Sequence, residues 1–443
     1  MKKKTNFPLI ILLETAEEEP LTGNPMQIPI SIKLAMRNVF RNKIRTLITL
    51  AAIAFGSVSI IIAGGFFEDT FMQMREAVIH SHLGHIQIYR KGYIDHGSSA
   101  PFEYLIEDPD KVVEKIKALD HVKSITPRIS FSAMISTGDN TVSAFCEGIN
   151  PDGELILNKI DNDNNTGASL SIQEGVNLTK GDEFDIIIGR GLAKNIGVKP
   201  GDSLVLLTNT IEGSLNAFDV NIKGIFFTTS KEFDDRALRL PIDTAQKLIR
   251  TKGIQTLVVL LDATENTSQV KEDVLETFRL MNTEMEIRIW SELSDFYNKT
   301  VELFGRQFFI LKLIITIIVV LSIFNTINMA IWERTREIGT IMAMGYKKMD
   351  IMRLFLAEGC ILGIIGGIAG IILGIVLAQI ISFFGIPMPP PPGATIGWIA
   401  LIKVVPDLLV SSMIISISAS LLSSLYPAVK ASNLMITDAL RHY

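Results

Sequence analysis

Three histidines that lie close together, His80, His82 and His85, are the first candidates for metal chemistry. Imidazole nitrogens suit zinc and copper, and His96 follows a little further along the chain. However, no Asp, Glu or Cys lies inside this cluster, and the segment passes from a helical to a strand-like pattern, which would scatter the rings. We therefore predict no metal site here and expect the histidines to lie on a plain polar surface.

The sequence motifs of common catalytic sites are also missing. The chain contains no GxSxG or HExxH motif, and no GxxxxGK[ST] loop that would cradle the phosphates of ATP. The segment IIIGRGLAKN resembles a dinucleotide-binding turn but lacks the third glycine, so it is predicted to be a turn that begins a helix. The two cysteines, Cys146 and Cys360, cannot build a disulfide framework or a thiolate cage. We predict that the chain is not an enzyme.

The composition indicates a protein with both membrane and water-facing parts. Of 443 residues, 48% are hydrophobic and 20% are charged, and the mean hydropathy is +0.33. This mixture is typical of membrane spans combined with a sizeable polar domain. The net charge of -5 comes without a basic stripe or interleaved aromatic residues, which argues against a nucleic-acid partner.

Four apolar windows are long enough to cross a bilayer as helices, which takes about twenty residues. These windows are 46–67, 313–332, 359–386 and 408–429. Lys and Arg collect before the first window, between the second and third, and after the fourth, whereas the link between the third and fourth has none until Lys403. Because basic residues favour the cytoplasmic side, both termini are predicted to be cytoplasmic.

The long segment between the first two windows is predicted to be an extracytoplasmic α+β domain. GHIQIYR, VKSITPRISFSAMIS, TVSAFCEGI, IQTLVVLLD and EMEIRIW have strand patterns, whereas DPDKVVEKIKAL and TSQVKEDVLETFRLM have helical spacing. The predicted fold class is therefore an α-helical membrane domain, with four transmembrane helices in a 1+3 arrangement, and a large α+β extracytoplasmic domain.

The sequence also predicts the boundaries of these parts. They are an N-terminal extension that is disordered or precedes the true start (1–29), a basic amphipathic segment with the first transmembrane helix (30–67), the periplasmic domain (68–306, split into 68–151 and 252–300 around an insert at 152–251), the second transmembrane helix (307–332), a cytoplasmic segment (333–352), the third transmembrane helix (353–386), a periplasmic loop (387–405), the fourth transmembrane helix (406–429) and a cytoplasmic tail (430–443).

Small and polar residues inside the apolar windows predict helix packing. Glycines spaced four apart in the third window let helix backbones approach closely, either within one chain or between two copies. They are Gly363, Gly366, Gly367, Gly370 and Gly374. The seven serines within 411–424, together with Asn325, Thr326 and Asn328, are predicted to tie helices together rather than to line an ion pathway.

A charged segment, IWERTREIGTIMAMGYKK, separates the second and third windows. It contains an apolar set at helical spacing that would have no partner in water, which predicts a docking surface for another protein. This set is Ile338, Ile341, Met342 and Met344. We expect Arg334 and Glu337 to be exposed, so that their replacement by alanine would leave the membrane part folded.

Four segments, in the same order, resemble the FtsX-like permease family. ERTREIGTIMAMGYKKMDIMRLFLAEG resembles the signature of that domain, and so do LAMRNVFRNKIRTLITLAAIAFG and YPAVKASNLMITDALR. HLGHIQIYRKGY is similar to the segment just outside the first span in the LolE-like branch. Overall, the resemblance is closest to the lipoprotein-releasing LolC/LolE branch. Met342 stands where the family commonly has arginine, and Met435 lies near the usual proline of the last motif.

This resemblance implies a non-catalytic permease subunit of an ABC transporter in the inner membrane. A separate cytoplasmic ATPase of the LolD or MacB type would bind ATP and Mg, so no cofactor is expected on this chain. A second permease copy or paralogue would complete a dimer, membrane lipids would surround it, and a periplasmic lipoprotein carrier or adaptor is a further candidate partner. The residues implied in ATPase coupling are Glu333, Arg334, Arg336, Glu337, Ile338, Gly339, Met342 and Gly345.

The resemblance also implies a mechanical function. Movement of the helices would release lipoproteins from the inner membrane without passing them through the bilayer. The alternatives are efflux of a peptide or drug, as in MacB relatives, and signalling to a cell-wall hydrolase, as in FtsX relatives.

Overall fold

The computed structural model describes residues 30–97, 100–162, 165–168, 170–228, 230–389 and 397–435. The predicted N-terminal extension, the end of the cytoplasmic tail and the proline-rich middle of the loop at 387–405 lie outside the described residues. The described residues divide into two compact units. The first unit comprises the residues up to Val58, Ile314–Ile372 and the residues from Val410, and the second unit comprises Ser59–Leu313 and Leu373–Leu409.

The helices account for most of the first unit and for the connections within the second. In chain order they are α1 (Ile30–Arg41), α2 (Lys43–Val78), α3 (Tyr93–His96), α4 (Pro109–Lys117), α5 (Pro151–Leu157), α6 (Arg190–Ile196), α7 (Lys231–Asp234), α8 (Ile242–Ile249), α9 (Thr267–Met281), α10 (Trp290–Leu293), α11 (Asp295–Glu333), α12 (Thr335–Ala343), α13 (Lys348–Phe384) and α14 (Pro406–Ser432). A π-helix, Ile79–Leu83, continues α2, and a 3-10 turn, Thr264–Asn266, precedes α9.

The strands lie in the second unit. They are β1 (Ile86–Arg90), β2 (Val122–Ser136), β3 (Thr141–Ile149), β4 (Lys159–Asn162), β5 (Asn165–Ala168), β6 (Leu170–Gly175), β7 (Asp185–Gly189), β8 (Ser203–Asn209), β9 (Leu215–Thr228), β10 (Ala237–Pro241), β11 (Thr256–Leu261), β12 (Met285–Ile289), β13 (Ile386–Met388) and β14 (Trp398–Ala400). The predicted strands and helices of the α+β domain are all present at the expected places.

One mixed sheet of ten strands organises the second unit. Its order is β12-β1-β11-β2-β3-β10-β7-β9-β6, and β8 pairs with both β2 and β9. Helices α4 and α9 cover β1, β11 and β12 through a buried apolar cluster that includes Ile86, Val259 and Val274. The strands of the predicted insert extend the same sheet, because β10 pairs in parallel with β3 from Ala237↔Phe145 to Pro241↔Ile149. The α+β class of this domain is therefore confirmed.

Four helices of the described residues are long and apolar enough to cross a membrane. They are Lys43–Leu83, Asp295–Glu333, Lys348–Phe384 and Pro406–Ser432. Each contains one of the predicted windows, except that the third helix ends two residues before its window does, at Phe384. The helices otherwise extend past the windows because the charged residues that bound each window do not interrupt a helix. The 36 residues of α2 would measure about 54 Å, longer than the hydrocarbon core of about 30 Å.

The glycines of α13 pack against other helices of the same chain. A Cβ on Gly363 would lie 3.0 Å from Ser420 Cβ of α14, and one on Gly366 would lie 2.8 Å from Ile53 Cβ of α2. Gly367 faces Met413, and the remaining two glycines face Ser57 and Ile61. All five are buried within the single chain. The five glycines therefore allow close packing between helices of the same chain, which is one of the two predicted uses.

The serines of α14 connect the apolar helices, as predicted. Ser416 Oγ lies 2.8 Å from Ser57 Oγ of α2, and Ser423 Oγ donates to the Val320 carbonyl of α11 at 3.0 Å. Ser420 donates to the Gly359 carbonyl of α13. One helix therefore makes hydrogen bonds to the three others inside the apolar region. Thr326 of α11 instead donates to the carbonyl of Ser322 in its own helix.

Candidate functional site

The candidate coupling site is the segment 333–349, which contains the short helix α12 between two breaks in the helical path. Arg334 separates α11 from α12 with a non-helical φ of -105° and ψ of 6°. After α12 the chain turns at Gly345, whose φ of +96° favours glycine. The Asp350 side chain then accepts a hydrogen bond from the Lys347 amide at 3.0 Å, which caps the start of α13.

A buried ion pair fixes the first break. Arg334 Nη1 donates to Glu358 Oε1 of α13 at 3.1 Å, and Arg334 Nη2 donates to the Asn38 carbonyl of α1 at 2.9 Å. The Asn38 side chain completes the triangle by donating to Glu358 Oε1 at 2.8 Å. Arg334 and Glu358 are 9% and 8% exposed. We call these three residues the Arg334 network. The network joins three helices, because Asn38 lies in α1, Arg334 immediately precedes α12 and Glu358 lies in α13.

Two further ion pairs surround this network at the surface. Arg41 of α1 lies 3.0 Å from Glu337 of α12, and both side chains are about half exposed. Arg45 of α2 pairs with Glu333 at the end of α11, and the Asn42 side chain also donates to Glu333 at 3.4 Å. Exposed pairs contribute at most about 1 kcal/mol each. They orient the segment more than they stabilise the fold.

The apolar side of α12 packs inside the first unit rather than remaining free. Ile338 is 4% exposed and belongs to a buried cluster with Val39 and Phe355. Ile341 and Met342 pack against this cluster and are partly buried. Of the four residues predicted to lack a partner, only Met344 is largely exposed, at 50%. The interpretation of this set as an unoccupied docking face is therefore wrong for Ile338, because the side chain is used in the chain's own core.

The predicted coupling residues thus fall into two groups. Arg334, Ile338 and Gly339 are buried, and Met342 is partly buried. The exposed members are Glu333, Arg336, Glu337 and Gly345. The expectation that Arg334 is exposed is wrong, because its guanidinium reaches across to Glu358. Beside the predicted Met344, the side chains of Tyr346 and Met349 also present exposed apolar surface in the same segment.

The histidine segment does not form a polar surface either. His80 and His85 are 9% and 2% exposed, because the π-helix after α2 turns both rings into the second unit. Burial lowers the pKa of His85 to about 3, so this ring is neutral at physiological pH. In the part of the chain that the structure describes, no group of three or more His, Cys, Asp or Glu side chains is placed to hold a metal ion.

Two features were not predicted from the sequence. They are the contacts of Arg334 with Glu358 and Asn38 and a second buried cluster of charged residues. Glu358 is the single acid at the entrance to the third apolar window, a position that could have marked it as a buried ion-pair partner. Arg128, Glu147, Glu154 and Arg239 form the second cluster and are all at most 5% exposed. Arg239 lies within the otherwise apolar strand ALRLP, and this was the available signal.

Two family models together cover most of the chain. The MacB-like periplasmic core domain matches residues 46–277, and the FtsX-like permease C-terminal domain matches residues 309–436. The chain belongs to the FtsX/MacB-type permeases of ABC transporters. The apolar helices and the periplasmic-type domain of this permease fit an inner-membrane protein.

Curated relatives come from two branches of this family. The lipoprotein-releasing system transmembrane protein LolC of Neisseria meningitidis is 23% identical over 443 residues, which covers 93% of this chain and 97% of LolC. The macrolide export ATP-binding/permease protein MacB of Acinetobacter baylyi is 22% identical over 364 residues, which covers 80% of this chain. The permease spans about half the length of this MacB relative, 52%.

A solved structure is also similar in part. The periplasmic region of MacB from Actinobacillus actinomycetemcomitans matches 49% of this chain and 92% of its own length, at 14% identity and a TM-score of 0.35.

Proposed function

We propose that this permease transmits mechanical work across the inner membrane. A separate cytoplasmic ATPase binds ATP and Mg, docks on the segment 333–349 and moves it during hydrolysis. The single observation that supports this proposal best is the two-sided character of the segment. Its buried side is joined to α1 and α13 by the Arg334 network, while Glu337, Met344 and Tyr346 remain exposed.

In the proposed topology, both termini and the coupling segment face the cytoplasm. The four apolar helices cross the membrane in a 1+3 arrangement, and residues 68–306 lie in the periplasm. The basic residues at the proposed cytoplasmic ends of the helices support this orientation. A second copy or a paralogue completes a dimer, which uses surfaces other than the glycines of α13.

The proposed work is release of lipoproteins from the inner membrane, with a periplasmic carrier as the acceptor. The match over 97% of the LolC relative supports this branch. MacB-like efflux of a peptide or drug is the second candidate, because the MacB-like model matches residues 46–277.

The docking proposal is tested by co-purifying the permease with the ATPase encoded nearest to it and measuring ATP hydrolysis. The double variant Glu337→Ala/Met344→Ala removes an exposed charge and an exposed apolar contact from the segment. We expect it to lower permease-dependent ATP hydrolysis at least about tenfold, whereas Arg353→Ala, an exposed cation on α13, leaves the rate within about twofold. Equal rates for the two variants would contradict docking on this segment.

The cargo proposal is tested in proteoliposomes that hold the permease, its ATPase and a triacylated lipoprotein. ATP-dependent transfer of the lipoprotein to a soluble carrier is the expected result. Hydrolysis of ATP without transfer, together with export of a macrolide or peptide, would instead assign the permease to the efflux branch.

A further inference from the structure

The end of α2 joins the ten-stranded sheet through a short, highly constrained connection. After the π-helix, Gly84 adopts a φ of +62°, and its amide donates to the Ile79 carbonyl at 2.8 Å. A Cβ at Gly84 would overlap the Val258 side chain. His85 then joins the sheet at once, because its amide donates to the Val259 carbonyl at 2.9 Å. Only two residues therefore separate a long helix from β1, which lies between β11 and β12.

Both buried histidines of this connection hydrogen-bond to other parts of the second unit. His80 Nδ1 lies 2.7 Å from the Leu157 carbonyl at the end of α5. His85 Nδ1 accepts from the Leu261 amide at 3.1 Å, so its Nε2 carries the proton and donates to Thr264 Oγ1 at 3.1 Å. The Thr264 hydroxyl donates in turn to Glu76 of α2 at 3.0 Å. The end of α2 is thus tied both to β11 and to the insert.

A buried charge cluster continues this connection into the insert. Arg128 of β2 donates to the His82 carbonyl. It also forms a bidentate ion pair with Glu154 of α5, in which Nε lies 2.6 Å from Oε1 and Nη2 lies 2.9 Å from Oε2. Arg239 of β10 lies 2.9 Å from Glu147 of β3 and 3.5 Å from Glu154. Arg128, Glu147, Glu154 and Arg239 are the charge cluster.

The insert also contacts the helix end through aromatic and apolar packing. The His82 ring stacks on Phe233 of α7, with ring centroids 6.1 Å apart and an interplanar angle of 12°. Phe233 also lies under the Arg239 guanidinium at 5.5 Å. Ile79 of the π-helix also packs in a small buried apolar cluster with Leu157, Val258 and Leu260.

We propose that the π-helix at the end of α2, with His80, His82 and the charge cluster, is the joint through which movement of α2 reaches the insert. This inference rests on the proposed mechanical function. A carbonyl at a helix end has no partner inside the helix and sits at the negative end of the helix dipole, so Arg128 is a suitable cationic partner.

The charge cluster opposes movement of the helix end relative to the insert. If the helix end moved without the insert, Arg128 would lose a hydrogen bond in a site from which water is excluded. Breaking a buried pair leaves an uncompensated charge, which is strongly unfavourable. The helix end and the insert therefore move as one body, and the positioning residues are Arg128 and Glu154.

The test uses the double variant Arg128→Met/Glu154→Leu in the full complex with its ATPase. It removes two opposite charges of the joint and keeps the Arg239–Glu147 pair, so no single buried charge is left behind. The matched control is Lys223→Met/Asp182→Leu, which removes another ion pair of the insert that contacts Thr179 and not the helix end.

The joint is tested by measuring the distance between two spin labels. One is attached at Glu68→Cys on α2 and the other at Lys199→Cys on the insert. Both positions are exposed, Cys360→Ser removes the more accessible native thiol, and Cys146 is fully buried. In the parent protein and in the control we expect one narrow distance distribution, with and without vanadate-trapped nucleotide. In the joint variant we expect a distribution at least about twofold broader, with ATP hydrolysis within about twofold of the parent.

The functional readout distinguishes a loose joint from general unfolding. A misfolded permease would lose ATPase stimulation and lipoprotein release together, whereas a loose joint lowers release at least about tenfold at unchanged hydrolysis. If the double variant does not fold, Arg128→Lys serves instead. Lysine lacks the planar fork with which Nε and Nη2 of Arg128 bind Glu154 while Nη1 binds the His82 carbonyl. If either folded variant kept a narrow distance distribution and released lipoprotein at the parent rate, the proposed joint would be contradicted.

The outcomes also separate this inference from the proposed function. If the parent complex hydrolyses ATP but releases no lipoprotein, the cargo proposal fails, while the distance distributions still decide the joint. If the permease does not stimulate the ATPase at all, the mechanical function is overturned, while the distance distributions without nucleotide still decide whether the helix end and the insert are rigidly joined.

Discussion

Arg334 and Glu358 form a buried ion pair, with Nη1 of the guanidinium 3.1 Å from Oε1 of the carboxylate. The pair connects the start of α12 to α13, and the Asn38 side chain shares the same carboxylate oxygen. The segment 333–349 therefore cannot shift relative to α1 and α13 without disrupting this pair. In the proposed mechanism, a load applied to the exposed side of this segment would pass to these helices.

Removal of Arg334 alone should destabilise the permease far more than removal of its exposed neighbours. Arg334→Met leaves the Glu358 carboxylate buried without its cation, and we expect a loss of about 3–5 kcal/mol. Glu337→Ala breaks only the exposed pair with Arg41 and should lose less than about 1 kcal/mol. Unfolding in detergent, followed by circular dichroism, measures both. Adding Glu358→Met to Arg334→Met should restore most of the loss, and failure to do so would contradict a balanced ion pair.

The glycines of α13 should be sensitive to bulk because of contacts within the chain. Gly370→Val places a side chain against Ser57 of α2, and overpacking of this kind costs about 1–3 kcal/mol. Ile368→Val, at an exposed position of the same helix, is the control and should change stability little. Thermal unfolding and the oligomeric state in detergent are both measured. Dissociation of a dimer by Gly370→Val without loss of thermal stability would contradict the intrachain packing.

Gly345 and Gly305 should respond in opposite directions to alanine. Gly345 has a φ of +96°, a conformation that costs an L-residue about 1–2 kcal/mol, so Gly345→Ala should destabilise the turn after α12. Gly305 lies inside α11, and a Cβ added there would have no heavy atom within 4 Å, so alanine should gain up to about 1 kcal/mol through helix propensity. The melting temperatures of the two alanine variants test this prediction. Equal shifts of the same sign would contradict it.

The buried histidine His85 should make the permease less stable in acid. Burial lowers its folded-state pKa to about 3, below the unfolded value of about 6.5. The unfolded chain therefore binds a proton that the folded state does not, and the contribution of His85 to stability falls as the pH drops from about 6.5 towards 3. Comparing the parent with His85→Gln between pH 4 and 7, we expect a shallower acid loss in the variant.

His121 provides the control of opposite sign for that comparison. The hydrogen bond from its ring to Asp262 raises the pKa of this exposed histidine. Its contribution is fully present below the unfolded pKa and is lost as the pH rises through the folded pKa. A His121→Gln variant that reproduced the His85→Gln profile would show that the acid loss does not come from burial of His85.

The strands and helices could be predicted from the sequence because their signals are local. Alternation in VKSITPRISFSAMIS predicted β2, and the long uncharged runs predicted the four apolar helices, since backbone satisfaction in lipid demands helices of that length. The charge of the segment 333–352 and the glycine spacing of α13 were equally visible. Periodicity along the chain is enough for each of these, because each depends only on neighbouring residues.

Only the tertiary structure shows which side chains from distant segments contact one another. Arg334 has the character of a surface residue in its own segment, and it becomes buried because Glu358 and Asn38, 320 positions apart, converge on it. In the same way, α12 packs Ile338 into the core instead of leaving it for a partner, and His80 and His85 turn inward where the π-helix meets β11. The sequence by itself determined the elements and the family; only the tertiary structure decided which charges are buried, because burial depends on what distant segments place opposite each side chain.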